Sequence, residues 1–200
     1  SKELTIDKGN LISFVKFVKD NFYNDKNSYK NIRDNAVKNY NPTLITSDNE
    51  NVFNDQLEAA PLGLSFIETI KAVINQFGLK SSDATIVYYV SYMLLDLLGV
   101  SKETRRKVKF RNMQTDSMHS FFGGYCDCFV SDDAGILKKS KILYKLFNIE
   151  TQIYSIDEFI KVFDEAIKNN QKSASEYFDE IRGDYQRRIV TKTETIPPYA

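Results

Sequence analysis

Apolar residues recur three and four positions apart along most of this chain, and in two places, near residues 128 and 153, the period shortens to compact apolar runs. Leu11, Phe14, Val15, Val18 and Phe22 predict a helix after the Lys8-Gly9-Asn10 turn. Phe66, Ile67, Ile70, Val73, Ile74 and Phe77 make a second stripe, with Gly78 placed to end that helix and Ser81 or Ser82 to cap the next. From Ala84 to Leu98 apolar residues occur nearly all round, so this helix is expected at the centre of the core, stopping at Gly99. Between Tyr23 and Asn54 the chain is rich in Asn, Asp, Lys and Tyr, which predicts loop or short helix. Residues 2–7, KELTID, are a short strand candidate.

The clearest order lies from Thr115 to Phe163, which reads as helix, strand, helix, strand, helix. Asp116 is expected to open the first helix, with Met118, Phe121, Phe122 and Tyr125 buried and Asp116, His119 and Gly123 on the other side. Cys126 to Val130 reads as a strand buried on both faces. Ile136, Leu137, Ser140, Leu143, Tyr144 and Phe147 give an amphipathic helix, and TQIYS a second strand. Ser155 and Glu158 then form a capping box for a helix whose stripe is Ile156, Phe159, Ile160 and Phe163. Such alternation predicts a right-handed crossover in a parallel sheet, hence a helix-rich α/β fold in one domain spanning 1–200. A last helix, from about Ser175 to Val190, is expected to bury Phe178, Ile181, Tyr185 and Ile189.

Composition narrows the function classes. Lys plus Arg and Asp plus Glu each number 27, so any pull toward nucleic acid must come from a local patch. The best candidate is KETRRKVKFR, Lys102 to Arg111, where Arg105, Arg106, Lys107, Lys109 and Arg111 offer RNA phosphate contacts, although such runs also occur as solvated helix faces. Apolar runs are too short for a membrane span, and a cytoplasmic protein without a membrane partner is expected. One histidine, His119, and two cysteines, Cys126 and Cys128, rule out a zinc site of the usual spacing, and both thiols are expected to be buried. No glycine-rich phosphate loop is present.

Oxygen chemistry is more promising. Asp132 and Asp133 end the first predicted strand, where open parallel sheets bind ligands, and Asp116 precedes that strand closely enough to face the same crevice. Three carboxylates within reach repel one another unless a cation such as Mg2+ or Mn2+ holds them. Each also has a plainer role as a helix cap. Lys138, Lys139 and Lys141 can meet phosphate or form a solvent face, and Tyr88 or Tyr92 can be core or a base-stacking platform.

TDSMHSFFGGYCDCFVSDD, the helix after it and TQIYSIDEFI resemble the C-terminal half of PIN-domain nucleases. In that family an aspartate starts a helix, an apolar strand ends in Thr-x-Asp, and a later strand leads into Ser-x-x-Glu-Phe. Here those positions read Asp116, Ser131-Asp132-Asp133 and Ser155-Ile156-Asp157-Glu158-Phe159. The resemblance implies a three-layer α/β/α fold with extra helices and a Mg2+- or Mn2+-dependent ribonuclease acting on single-stranded or structured RNA. Such proteins are often toxins, held by an inhibitory protein partner, or RNA-processing factors. It assigns Asp116 and Asp133 to the metal, with Asp132 beside them. The family's opening Asp-x-Asn is matched only by Asp7 in Ile6-Asp7-Lys8-Gly9-Asn10, and Glu50, Glu58 and Glu68 compete for its mid-chain acid. Its first strand is therefore either this short one or upstream of Ser1. The alternative is a catalytically inactive PIN-like module that binds RNA or a protein partner. A phosphoacceptor receiver domain is disfavoured, because its acidic pair follows the first strand.

Overall fold

A computed structural model of the chain describes residues 8–40, 63–100, 110–169 and 173–191. The chain divides into two compact units, Ser1–Ser155 and Ile156–Ala200. In the first, helix α1 (Leu11–Val18) begins where the Asn10 side chain accepts hydrogen bonds from the Ile12 and Ser13 backbone N–H groups. It widens into a π-helical turn, Lys19–Tyr23, so the predicted continuous helix is interrupted. Helix α2 (Lys26–Tyr40) occupies part of the stretch expected to be loop or short helix. Asp25 starts it by accepting from Asn27 N and Ser28 N, a polar start signal that the scarce apolar periodicity had hidden. Among the described side chains of α2, Tyr29 and Ile32 pack against the core.

Helix α3 (Phe66–Gln76) opens with a reciprocal capping box between Ser65 and Glu68. It closes at Gly78, whose φ of 63° is the left-handed conformation expected there. Gly9, at φ 84°, donates its N–H to the Phe77 carbonyl, so the chain before α1 lies against the end of α3. Helix α4 (Ala84–Leu97) is capped by Asp83 rather than Ser81 or Ser82, because the Asp83 carboxylate reaches both Thr85 N and Ile86 N. It is the central helix, with Tyr88, Val90, Tyr92, Met93 and Leu95 buried, and it ends at Gly99, φ 77°.

Helix α5 (Phe110–Gly123) corrects the reading of the next stretch: Asp116 sits in the middle of the helix and does not open it. Its buried side is Phe110, Met113, Ser117, Ser120, Phe121 and Gly123, whereas Phe122 and Tyr125 are exposed. Small serine side chains let the helices approach closely, and the Ser120 hydroxyl is bonded across the interface. Ser120 Oγ pairs with Tyr88 Oη of α4 and, at 2.5 Å, with Ser140 Oγ.

Strand β1 (Cys128–Ser131) pairs in parallel with β2 (Gln152–Ser155), Phe129 opposite Ile153, with helix α6 (Ala134–Leu146) as the crossover. The predicted β-α-β unit is thus present, in a helix-rich α/β arrangement with a two-stranded parallel sheet among the described residues. Residues of β1 are half-buried, not enclosed on both faces, and Cys126 precedes the strand and is exposed while Cys128 is half-buried. Asn148, at φ 53°, ends α6 by letting Ile149 N return to the Tyr144 carbonyl at 2.7 Å.

The second unit holds α7 (Ile156–Asn169) and α8 (Ala174–Thr191). Along α7, Phe159 and Phe163 stack at 5.9 Å on the expected stripe. A capping box between Ser173 and Glu176 starts α8. Phe178 and Ile181 are exposed, contrary to expectation, since charged and polar residues outnumber apolar ones along α8. The Tyr185 and Ile189 side chains, the strand candidate 2–7 and Glu50 and Glu58 lie outside the described residues.

Candidate carboxylate site

Asp133 ends the β1–α6 turn. Its Oδ1 accepts from Gly135 N at 2.7 Å and Ile136 N at 3.0 Å, and its own N–H donates to Ser131 Oγ at 3.1 Å. The Ser-x-Asp run therefore folds as a strand end locked onto a helix start, with Asp133 as the cap. Asp132 beside it is exposed. Asp116, half-buried, comes from the preceding helix.

Helices α4 and α5 bring Asp116 to a defined level. The Tyr88–Ser120 hydrogen bond joins the start of α4 to the latter part of α5. At the other end Tyr23 joins them, its hydroxyl donating to Asp96 Oδ2 at 2.9 Å and its ring 5.0 Å from that of Phe110. The two helices consequently run antiparallel, and Tyr92, one turn past Tyr88, lies level with Asp116 and Ser117. Tyr92 is 0 % exposed. Its phenol pKa is raised, first by burial and then by the negative charges of Asp116 and Asp96, by Tyr88 and by Asp133. Acids from α4, α5 and the β1–α6 turn thus act on one buried group.

Asp96 is committed elsewhere. Lys139 Nζ donates to its Oδ1 at 2.9 Å, and the Tyr23 and Tyr29 hydroxyls donate to its Oδ2 at 2.9 and 3.0 Å. Lys139 is 1 % exposed and its ammonium lies 4.7 Å from the Tyr92 ring centroid. Lys139 is therefore neither a phosphate contact nor part of a solvent face but half of a core ion pair. Lys138 and Lys141 are half-buried, and burial lowers the Lys138 pKa. Burial of Tyr88 and Tyr92 also removes them as base-stacking platforms.

Among the remaining candidates, His119 and Arg111 are exposed on α5. Asp7, Arg105, Arg106, Lys107 and Lys109 lie outside the described residues. Sequence reading missed the Asp96–Lys139 pair and the buried Ser117. The signal was available: Asp96 interrupts the apolar run Met93–Leu98, and Lys139 falls on the Ile136–Ser140–Leu143 face of α6. Among the described residues, no group of three or more His, Cys, Asp or Glu side chains is arranged to hold a metal ion. Described helices include none long and apolar enough to cross a membrane. No family model, curated protein or solved structure matches the chain.

Proposed function

We propose that this chain is a metal-dependent endoribonuclease of the PIN type, with Asp116 and Asp133 as the carboxylates that take a Mg2+ or Mn2+ ion beside the end of β1. The reading is supported by the placement of the two acids: Asp133 caps α6 at the end of β1, and Asp116 lies on α5, the helix that precedes that strand. Asp96, matched by Lys139, is not a ligand in this scheme.

The donor chemistry fits. Both cap bonds of Asp133 fall on Oδ1, so Oδ2 is the oxygen that residue offers a cation. Magnesium is commonly held by one or two carboxylates together with waters and substrate phosphate, so a third protein acid is not required. Asp132 and Asp7 complete the proposed set. When bound, the ion lowers the pKa of water and stabilises charge on the leaving oxygen. Arg111, with Arg105, Arg106, Lys107 and Lys109, is assigned to the RNA backbone. The three-layer α/β/α form, the toxin role and an inhibitory protein partner belong to the same proposal.

The test is manganese-dependent cleavage of single-stranded RNA by the wild type and by Asp116→Asn and Asp133→Asn. Asparagine caps helices about as well as aspartate, so the second substitution removes charge while keeping the start of α6. Losses on the order of 100-fold or more are expected for each, the scale of several kcal/mol of lost transition-state stabilisation. Full activity in Asp133→Asn overturns the assignment. A second reading is a PIN-like module that binds RNA or a protein without cutting. Binding of Mn2+ to the native state raises its melting temperature by mass action, which the pure binding module does not show.

A further inference from the structure

Helix α7 turns an apolar face to solvent. Ile156, Ile160, Val162, Phe163 and Ile167 are each 44 to 57 % exposed, and the Phe159 and Phe163 rings stack on one another along the same face. So many large apolar side chains on one 14-residue helix form a contiguous patch, whereas apolar surface residues that need no explanation occur singly. Helix α8 does not cover them, since its own Phe178 and Ile181 are exposed. What suits the face follows from its edge. Asp157, Lys161, Asp164 and Lys168 are all exposed and fall four, three and four positions apart, so they form one row beside Ile160 and Ile167. The row alternates acid, base, acid, base. At the opposite edge of the face stand Val162 and Ala166, which carry no charge.

We propose that α7 binds α7 of a second copy of this chain as an antiparallel, two-fold helix pair. In such a pair each edge of the apolar face meets the same edge of the partner, running backwards, so the interface must be its own complement. The charged row meets this condition. With the two-fold axis between Val162 and Phe163, Asp157 meets the partner's Lys168 and Lys161 meets the partner's Asp164, and both pairs recur by symmetry. The same axis sets Phe163 beside its symmetry mate and Phe159 against the partner's Ala166, a large residue facing a small one. A parallel pair would instead place the charged row against the edge of Val162 and Ala166, leaving its charges unmatched. A helix of this length spans about 21 Å, so the interface is at the small end of specific ones and the dimer dissociates on dilution. Pairing through α7 involves the second unit alone and does not depend on whether the chain cuts RNA.

Sedimentation equilibrium of the full chain over a wide range of concentration is the test. Wild type is expected to pass from monomer to dimer as concentration rises. Ile160→Asp, which puts a charge within the apolar face, should stay monomeric throughout. Asp164→Lys brings lysine against lysine at two symmetric places, and Lys161→Asp brings acid against acid. Each variant alone should therefore dimerise roughly 10-fold or more weakly. Both substitutions lie mid-helix at exposed positions, away from the caps and from the apolar face. Mixed in equal amounts, the two variants are expected to pair with each other about as tightly as wild type pairs with itself, because each chain then supplies the charge that the other needs. A wild type that stays monomeric at every concentration overturns the pairing and leaves the face to another protein or another segment of this chain. A dimer that neither charge change weakens overturns it as well, as does one that the mixture fails to restore.

Discussion

Asp96 sits among the apolar residues of Met93–Leu98, and three donors from separate segments converge on its carboxylate. Removing one member of a buried ion pair costs about 3–5 kcal/mol, since the other charge stays behind in a medium that does not solvate it. The two members are not equivalent. After Lys139→Met, Asp96 keeps the Tyr23 and Tyr29 hydroxyls, whereas after Asp96→Leu the ammonium keeps the face of the Tyr92 ring. Chemical denaturation is therefore expected to place Asp96→Leu at the upper end of that range and Lys139→Met below it. The double variant should be less destabilised than the sum of the two, because it leaves no charge buried. Equal single losses that add in full would contradict this account of the cluster.

Helix α6 shows how one residue can serve an element and a site. Asp133→Ala is expected to lower stability by about 1 kcal/mol and Asp133→Asn by far less, because the cap needs an oxygen acceptor and not a charge. Thermal unfolding of both variants checks it. Gly123 marks the other junction of this region: a Cβ there would lie 2.9 Å from both Phe129 Cγ and Tyr144 Oη. Gly123→Ala should therefore destabilise by about 1–3 kcal/mol through overpacking, despite alanine's better helix propensity. Strand, crossover helix and second strand were legible in the sequence because their apolar runs and turn residues agree with one another. Gly78 and Gly99 were legible for a similar reason, as only their backbone freedom suits a left-handed stop. The length of α5 and its buried face were not legible. Its interior is built from Ser117 and Ser120, which hydropathy reads as surface, and the burial of Ser120 depends on hydroxyl partners on α4 and α6 that no local pattern reveals. The start of α2 at Asp25 was overlooked for want of an apolar stripe. Asp116 and Asp133 could be singled out from order and spacing, but the packing of α5 on α4 that sets the level of Asp116 exists only in three dimensions.

Across the first unit, the buried tyrosines make stability depend on alkaline pH. Tyr23, Tyr89 and Tyr92 all have phenol pKa values raised above the ordinary 10.0, in each case chiefly by burial. A group whose folded pKa lies above its unfolded one contributes stability in full below the unfolded value and loses it as pH rises. Stability should therefore decline above about pH 10, as the unfolded chain gains by ionising phenols that the folded chain keeps neutral. Tyr89→Phe removes one such group and should make the decline shallower. Denaturant midpoints measured on either side of pH 10 give the answer, and an unchanged slope would count against the buried-phenol explanation.

The donors to Asp96 lie 43, 67 and 73 positions away in the chain. Bringing such distant segments together costs loop-closure entropy before any contact repays it. A carboxylate that must shed its water to meet them is poorly suited to an early nucleus, in which only part of the core is assembled. The cluster is then a clasp that closes after the rate-limiting barrier, and its energy governs how long the protein stays folded rather than how fast it folds. Stopped-flow kinetics of Lys139→Met should show refolding close to the wild-type rate, with unfolding faster on the order of 100-fold for each 3 kcal/mol lost. A protein fastened in this way resists opening even where its equilibrium stability is modest.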